Sequence, residues 1–320
     1  MFSKVLGQTK AITQLKKFIL SGRIPPAMLF YGPQGVGKAM SAQYFAMALN
    51  CADSAAKESG DACGVCLSCK NILAGTHPDY IFAGFNYQAQ LTGKEVEKQQ
   101  HINVETIRSI TAKSQQKAVL GGYKIIVVDR AETMQSEAAN ALLKFIEEPP
   151  YKTVWILISS KRESMLSTIK SRSQAVTFAS LPEDVMVRIL EGFGHDESVI
   201  KKAAKYCGGS VSRGIAVIDV LSSLNSLNPA EETFPYEVAA TLNRTLAVGR
   251  IEASLILDIL STGLHNMWAT SKDDKIRESI KTKLNQISHY KKAVWRNVSP
   301  SMVVEAALME TDKFNEEVFK

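Results

Sequence analysis

The run Gly32–Lys38 constrains the fold of this 320-residue chain more than any other feature of its sequence. It reads Gly-Pro-Gln-Gly-Val-Gly-Lys, follows the apolar stretch Ala27–Tyr31 and leads into a helical pattern that reaches Asn50. In this context the backbone N–H groups of such a loop bind phosphate oxygens, and the lysine pairs with the β- and γ-phosphates of a nucleotide. The predicted nucleotide-binding residues of the loop are Gly32, Gly35, Gly37 and Lys38.

A second apolar run, Lys124–Asp129, predicts a strand that brings Asp129 to the metal ion of a bound nucleotide. Two positions that hydrolysing P-loop ATPases use are changed. Ala39 stands where a Ser or Thr hydroxyl binds Mg²⁺, and Arg130 stands where a Glu activates water. Glu132, three residues beyond Asp129, is a poor substitute for a base that needs hydrogen-bond reach to that water. We therefore expect ATP or ADP to bind weakly or without turnover, and no intrinsic ATPase activity.

Four of the five cysteines lie in one short segment. Their spacing, C-x₁₁-C-x₂-C-x₂-C, suits tetrahedral Zn²⁺ with no open position and so a structural role. An iron–sulfur cluster and free thiols are the alternatives; a ferredoxin-type run would add a further Cys and Pro that Lys70–Ala74 does not supply. Cys207 stands alone and is expected to be a buried free cysteine. The predicted zinc ligands are Cys51, Cys63, Cys66 and Cys69.

The order of the predicted elements indicates an α/β domain followed by helices. Helical patterns alternate with strands up to Thr153–Ser159, which predicts a parallel sheet covered on both faces. We expect a loop over about 75–100, no strands after Phe178 and a linker at Asn228–Pro235. The predicted domains are 1–180, which contains the cysteine module 51–69, a small helical domain at 181–228, and an all-helical domain at 229–320.

Charge and hydropathy exclude fewer functional classes than the motifs do. The net charge of +6 is compatible with contact to a polyanion and does not establish one. A helix over about 106–117 carries Arg108, Lys113 and Lys117, for which a solvated basic face is favoured over phosphate contact. No apolar run approaches the ~20 residues that cross a bilayer, and the start of the chain lacks a signal-peptide pattern. We expect a cytoplasmic protein without membrane contact.

The stretch Asn140–Pro150 reads Asn-Ala-Leu-Leu-Lys-Phe-Ile-Glu-Glu-Pro-Pro and is the most specific family signature in the chain. Further characteristic segments are Val5–Gln8, Ser21–Pro25, Leu29–Gly32, His77–Asp79, Thr168–Ser173 and Arg296–Pro300. With these segments nearly the whole chain resembles the AAA+ clamp-loader subunits of bacterial DNA polymerase III. The resemblance implies that the three predicted domains are a RecA-like AAA+ domain, a helical lid and a collar that assembles into a five-membered ring.

The resemblance also implies roles for individual residues. Arg172, in Ser171-Arg172-Ser173, matches the family's Ser-Arg-Cys motif and would supply an arginine finger to the ATP of the adjacent subunit; a surface or salt-bridge residue is the alternative. Arg213 matches the nucleotide-sensing arginine of the lid, with an exposed helix arginine as the alternative. The sensor on the fourth strand is Ser159 or Ser160. Subunits of this family also carry a zinc module where the cysteines lie, in agreement with the spacing.

An intact finger beside a damaged site is typical of the delta-prime-like, non-hydrolysing subunits of this family. Such a subunit would join the clamp-loader ATPase subunits and a delta-type wrench subunit in a hetero-pentamer. That complex loads the sliding clamp on primed DNA and belongs to a DNA-directed DNA polymerase holoenzyme. The alternatives are an active, gamma/tau-like ATPase subunit and a free-standing DNA-binding or repair protein with a vestigial nucleotide fold.

Overall fold

The computed structural model describes residues 1–243, 245–296 and 298–319. Asn297, within the clamp-loader-like segment Arg296–Pro300, lies outside the described residues. The chain forms two compact units that meet in sequence between Pro182 and Glu183. The finer division into domains ending at 180, 228 and 320 stays a prediction.

The first unit alternates helices and strands. Its strands are β1 (Ala27–Tyr31), β2 (Tyr80–Ala83), β3 (Lys124–Val128), β4 (Thr153–Ser159) and β5 (Gln174–Thr177). Its α-helices are α1 (Thr9–Ser21), α2 (Lys38–Asn50), α3 (Ser54–Glu58), α4 (Leu67–Leu73), α5 (Phe85–Thr92), α6 (Val104–Gln115), α7 (Ser136–Glu147) and α8 (Ser167–Arg172).

The five strands form one parallel sheet in the order β2-β3-β4-β1-β5. The central strands β3 and β4 are buried along their whole length, as expected for continuous apolar runs covered on both faces. Because all strands are parallel, the carboxyl ends of β1, β3 and β4 meet at one edge of the sheet. Ligands of open α/β sheets bind at this edge.

One face of the sheet packs against α6 and α7. The buried side chains of α7 recur every three or four residues, which is the period of one helix face, and include Leu142 and Ile146. They share a core with Ile107 and Ile110 of α6 and with Trp155 of β4, which is completely buried. The α/β fold with a parallel sheet, predicted from the sequence, is confirmed.

One sequence-based expectation was wrong, and one strand was missed. The segment 75–100, expected to be a loop, contains β2 and α5, and the short strand β5 was not foreseen. Both strands are edges of the sheet, so they need no continuous apolar run: Phe82 of β2 is 39% exposed, and β5 contains Gln174 and Thr177. Edge strands of this kind give only a weak sequence signal.

The second unit is helical in its described part. Its helices are α9 (Glu183–Glu191), α10 (Glu197–Tyr206), α11 (Val211–Leu224), α12 (Phe234–Thr241), α13 (Leu246–Thr270), α14 (Asp274–Ala293), α15 (Pro300–Glu310) and α16 (Asp312–Phe319). The predicted linker Asn228–Pro235 joins α11 to α12 and contributes the first two residues of α12. Among the helices of the described ranges, none is both long enough and apolar enough to span a bilayer.

Candidate nucleotide-binding and metal sites

The loop Gly32–Lys38 joins the carboxyl end of β1 to the first residue of α2. Gly32, Gly35 and Gly37 all have positive φ angles, of 147°, 73° and 95°. The N–H of Gly32 donates to the Ser159 carbonyl oxygen at 3.3 Å, which ties the loop to the end of β4. The positive φ angles explain why all three positions are glycine, because a residue with a side chain would be strained in this conformation. The loop therefore fits phosphate binding at the amino end of a helix.

Replacing Gly32 by Ala is expected to lower the free energy of unfolding of the first unit by about 3 kcal/mol or more. A Cβ atom at Gly32 would lie 2.0 Å from the carbonyl oxygen of Phe178, and φ is positive as well. Gly93→Ala is the matched control, since Gly93 also has positive φ but faces open space. Urea unfolding of both variants checks the prediction, and equal losses of stability would contradict it.

The ammonium group of Lys38 lies at the same loop. Its Nζ donates to the carbonyl oxygens of Gly32 and Pro33, at 2.6 and 2.5 Å. Burial lowers the pKa of this amine, while the carboxylates of Glu132 and Asp129 act in the opposite direction. The predicted lysine is thus held at the phosphate loop, close enough to both acidic side chains to interact with them.

The hydroxyl that a metal-bound triphosphate requires is missing from this loop. Ala39 offers none, and the Ser41 hydroxyl donates to the Gly37 carbonyl oxygen at 2.8 Å within α2. Ser41 is completely buried, so its oxygen is committed to the helix backbone. The loop fits phosphate better than it fits the phosphate-bound metal ion.

Asp129 directly follows β3, at the same edge of the sheet as the loop. Burial raises the pKa of its carboxyl group, and the N–H and the charge of Arg130 counteract this. Arg130 itself has left-handed backbone with φ of 51°, and its guanidinium carbon lies 4.9 Å from the centre of the Phe85 ring. A cation stacked on an aromatic ring therefore replaces the acidic side chain expected at position 130.

Glu132 lies closer to this site than the sequence suggested. One of its carboxylate oxygens accepts hydrogen bonds from the N–H of Ser160, at 3.0 Å, and from the Ser160 hydroxyl. Its other oxygen, Oε2, is buried and has no hydrogen-bond partner among the described residues. The tight turn Ala131–Thr133 after β3 brings it there. Of the two sensor candidates Ser160 contacts Glu132, whereas the Ser159 hydroxyl donates to the Lys161 carbonyl oxygen at 3.0 Å.

Arg172 is the last residue of α8, and its guanidinium group is held by its own chain. Nε lies 2.5 Å from Oε1 of Glu147, the last residue of α7. Nη1 donates to the Thr168 carbonyl oxygen and to the Ser171 hydroxyl, both at 3.3 Å. The side chain remains 42% exposed. Arg172 thus forms a salt bridge, as the alternative interpretation expects. It also stays accessible, as an arginine finger must.

Arg213 lies in the second unit, on α11. Its Nη2 is 2.7 Å from Oδ2 of Asp258 on α13, and Oδ1 of Asp258 is 2.7 Å from Nζ of Lys291 on α14. One carboxylate therefore joins three helices. Arg213 is partly buried and ion-paired rather than a freely exposed helix residue, and its nucleotide-sensing role stays a prediction.

The basic residues around α6 are mostly partnered. Arg108 pairs with Glu137 at 2.9 Å, and the Lys113 amine donates to the Tyr87 hydroxyl at 2.9 Å while lying 5.0 Å from the centre of that ring. Lys117 lies beyond the end of the helix and is exposed. These contacts favour the interpretation as a solvated helix face over a phosphate-binding one.

The four predicted zinc ligands come together. The sulfur atoms of Cys51, Cys63, Cys66 and Cys69 all lie within 4.8 Å of one another, and those of Cys63 and Cys69 are 4.0 Å apart. Four sulfurs bound tetrahedrally to one zinc ion would be about 3.8 Å apart, given Zn–S bonds of about 2.3 Å. A cluster of several iron atoms would hold them further apart. The geometry fits a single tetrahedral ion.

Backbone groups around the cysteines favour thiolates. N–H groups of Cys63, Val65 and Cys66 point at sulfur atoms, at 3.3 to 3.5 Å. Burial opposes ionisation of Cys66, but hydrogen bonds from backbone and neighbouring thiol groups outweigh it and lower its pKa to about 6. Burial raises the pKa of Cys69 and of Cys51. Since neighbouring thiolates repel one another, a divalent cation is what would let all four ionise.

His77 does not belong to this set. Its Nδ1 accepts from the N–H of Asp79 at 3.1 Å, and its Nε2 lies 3.1 Å from the Ser68 hydroxyl. Both ring nitrogens are occupied, and burial lowers the pKa of the ring. Cys207 is buried, as predicted, with its thiol donating to the Ala204 carbonyl oxygen.

The phosphate loop after β1 and the aspartate after β3, on a parallel sheet of this strand order, define a P-loop protein of the AAA+ class. The same fold occurs in a solved structure, the DNA polymerase III gamma subunit-related protein of Thermotoga maritima. The two match with a TM-score of 0.54 over 95% of this chain and 99% of that one, at 16% sequence identity.

The family comes from the sequence comparisons. The family model described as DNA polymerase III, delta subunit, matches residues 7–182, which is more than half of the chain. The chain therefore belongs to the DNA polymerase III delta-subunit family, and the resemblance to clamp-loader proteins is confirmed at the level of the family.

Two curated relatives show how far the similarity extends. The DNA polymerase III subunit gamma/tau of Mycobacterium tuberculosis H37Rv is 31% identical over 226 residues, which cover 69% of this chain and 37% of the relative. The DNA polymerase III subunit delta' of Pseudomonas aeruginosa is 43% identical over 146 residues, which cover 46% of this chain and 40% of the relative. The chain thus matches well under two thirds of the length of either relative.

Proposed function

We propose that this chain is a non-hydrolysing, delta-prime-like subunit of the DNA polymerase III clamp loader. The observation that carries the proposal is the contrast between two arginines. Arg172 stays accessible at the end of α8, whereas Arg130 stacks on Phe85 at the position of the water-activating acid. The chain is thus equipped to assist a neighbouring nucleotide site and poorly equipped to use its own.

At its own site this chain would bind phosphate through the loop N–H groups and Lys38. A bound nucleoside triphosphate would bring a magnesium ion with it. Of the two side chains that normally bind that ion, Asp129 is the one that remains. Ala39 removes the second ligand, and Ser41 cannot replace it because its hydroxyl is bonded within α2. ATP or ADP would therefore act as a bound structural ligand.

In a ring, Arg172 would lie at the nucleotide of the adjacent subunit. A guanidinium group placed at a transferring phosphoryl group stabilises the negative charge that spreads over its oxygens. Because the arginine comes from a different chain, ATP hydrolysis at the adjacent subunit would depend on correct assembly of the ring. A subunit that does not hydrolyse ATP would in this way make hydrolysis by its neighbour depend on assembly.

The remaining parts of the proposal follow from the family. The chain would assemble with clamp-loader ATPase subunits and a delta-type wrench subunit in a hetero-pentamer that loads the sliding clamp on primed DNA. Its helical segment 181–228 would be the lid, with Arg213 as nucleotide sensor, and 229–320 the collar. The four cysteines would hold one structural zinc ion, which supplies a fixed tetrahedral cross-link between the end of α2 and α4.

Restoring the two missing groups tests the loss of turnover. The double variant Ala39→Thr, Arg130→Glu is expected to hydrolyse ATP about 10²-fold faster than the wild-type chain, since a general base alone contributes that much. Steady-state ATPase assays of the chain in its complex measure this, with each single variant for comparison. Adding Lys38→Ala to the double variant should abolish the gain; a double variant no faster than wild type would contradict the assignment.

A second candidate function is an active ATPase subunit of the gamma/tau kind. Glu132 favours it, because a partly buried carboxylate with one free oxygen contacts Ser160 and interacts with Lys38. The same assays decide between the two. Turnover by the wild-type chain alone that Glu132→Gln abolishes would identify Glu132 as the base and replace the first proposal.

A further inference from the structure

The guanidinium group of Arg172 is contacted by its own helix and by Glu147 of a second helix. Three groups of the same chain contact the guanidinium: the Glu147 carboxylate at Nε, and the Thr168 carbonyl and Ser171 hydroxyl at Nη1. Thr168 and Ser171 belong to α8 itself and so move with the arginine. Glu147 belongs to α7 and is therefore the contact that ties the finger to another element.

The contact leaves one edge of the guanidinium group for a ligand. Among the hydrogen bonds and ion pairs of the described residues, Nη2 of Arg172 takes part in none. An arginine binds an anion through pairs of N–H groups in a fixed planar fork, so occupation of Nε by Glu147 excludes the side-on mode that uses Nε and Nη2. The N–H groups of Nη2 therefore remain available to bind a phosphate.

Stability alone does not account for a carboxylate at this position. Glu147 is the last residue of α7, where the negative end of the helix disfavours a negative side chain. Both partners are nearly half exposed, and exposed ion pairs contribute little to folding. Arg172 ends α8, where a cation is favourable without any partner. The role that the geometry leaves for the pair is to orient the guanidinium group.

We propose that Glu147 is the positioning residue of Arg172, holding Nε so that Nη2 faces the nucleoside triphosphate of the adjacent subunit. The proposal rests on the proposed trans-acting role of Arg172. In this role Glu147 acts through the arginine and is not itself a ligand of nucleotide or metal.

Variants at position 147 test this in the complex reconstituted with the gamma/tau-type and delta-type subunits of the same organism. Glu147→Ala is expected to lower kcat of DNA-stimulated ATP hydrolysis roughly 10- to 100-fold, the effect of misplacing a catalytic group by about 1 Å, with KM for ATP unchanged. Glu147→Gln should fall between wild type and Glu147→Ala, because its side chain keeps an oxygen beside Nε but loses the negative charge of the ion pair. Melting temperatures should shift by less than about 2 °C.

Two controls separate positioning from other effects. Glu148→Ala removes the adjacent exposed carboxylate, which has no ion pair in the described part of the chain, and should leave kcat unchanged. In the Arg172→Ala background, Glu147→Ala should cause no further loss, because a residue that acts through the arginine has nothing left to position.

Three other results would contradict either the positioning role of Glu147 or the trans-acting role of Arg172. Wild-type kcat in Glu147→Ala, beside a strong loss in Arg172→Ala, would overturn the role of Glu147 and leave the proposed function standing. Additive losses in the double variant would show that Glu147 acts independently of the arginine. An Arg172→Ala complex with full activity would overturn the trans-acting role and the positioning role together.

Discussion

Replacing Arg172 by Ala is expected to slow ATP hydrolysis at the neighbouring subunit's site by about 10³-fold or more, the contribution of trans-acting arginines in other NTPases. The side chain is accessible, and its Nη2 makes no hydrogen bond or ion pair among the described residues, so it can meet a phosphate without first breaking a buried interaction. Its loss should leave nucleotide affinity and assembly nearly unchanged, because the finger acts on charge that develops in the transition state.

The measurement is DNA-stimulated ATP hydrolysis by the complex with clamp and primed DNA, beside the chain alone, which should be silent. Arg108→Ala is the matched control: Arg108 is also an exposed arginine paired with a glutamate of α7, at 2.9 Å. It should behave as wild type. Full activity in the Arg172→Ala complex would mean that this residue is an ordinary surface salt bridge.

Replacing Cys66 by Ser is expected to release the proposed zinc ion and to destabilise the first unit. The four sulfurs connect the end of α2, the following loop and α4, so losing one ligand opens a cross-link between these elements. The free energy of unfolding should fall on the order of 5 kcal/mol, part of the 10–16 kcal/mol that complete zinc sites contribute in small peptides. Metal analysis and thermal unfolding measure both effects.

Cys207→Ser provides the comparison for this experiment, because Cys207 is a buried cysteine of the second unit and remote in sequence from the cluster. It should keep one equivalent of zinc. Iron and inorganic sulfide in the wild-type protein would replace the zinc assignment by a cluster. Full zinc content and unchanged melting of Cys66→Ser would refute the metal module altogether.

The parts of the fold that could be predicted are those that the sequence specifies locally. The strands β1, β3 and β4 are continuous apolar runs, and the phosphate loop and the cysteines have characteristic spacings. The edge strands β2 and β5 escaped prediction because half-exposed edges tolerate polar and aromatic residues without a repeating pattern. A long Gly- and Gln-containing segment also concealed α5.

The residues of the candidate site could be proposed from the sequence, but the contacts among them could not. Lys38 and Asp129 could be assigned from motifs, whereas the Glu132–Ser160 hydrogen bonds join the turn after β3 to the end of β4. The Glu147–Arg172 contact joins the ends of two helices in the same way. Contacts between residues so far apart in sequence depend on which strands are neighbours in the sheet, and no local sequence pattern predicts the strand order.

The position of β1 in the sheet bears on how the protein folds during synthesis. The first strand to leave the ribosome lies between β4 and β5, the last two, so one of its edges stays unpaired until Ser159 has emerged and the other until Thr177 has. Pairing between segments so distant in sequence is slow and leaves apolar strands open to aggregation meanwhile. The four proposed metal ligands, by contrast, all lie between Cys51 and Cys69. A nascent chain can therefore bring together the four cysteines of the proposed metal module early, while β1 completes its pairing late.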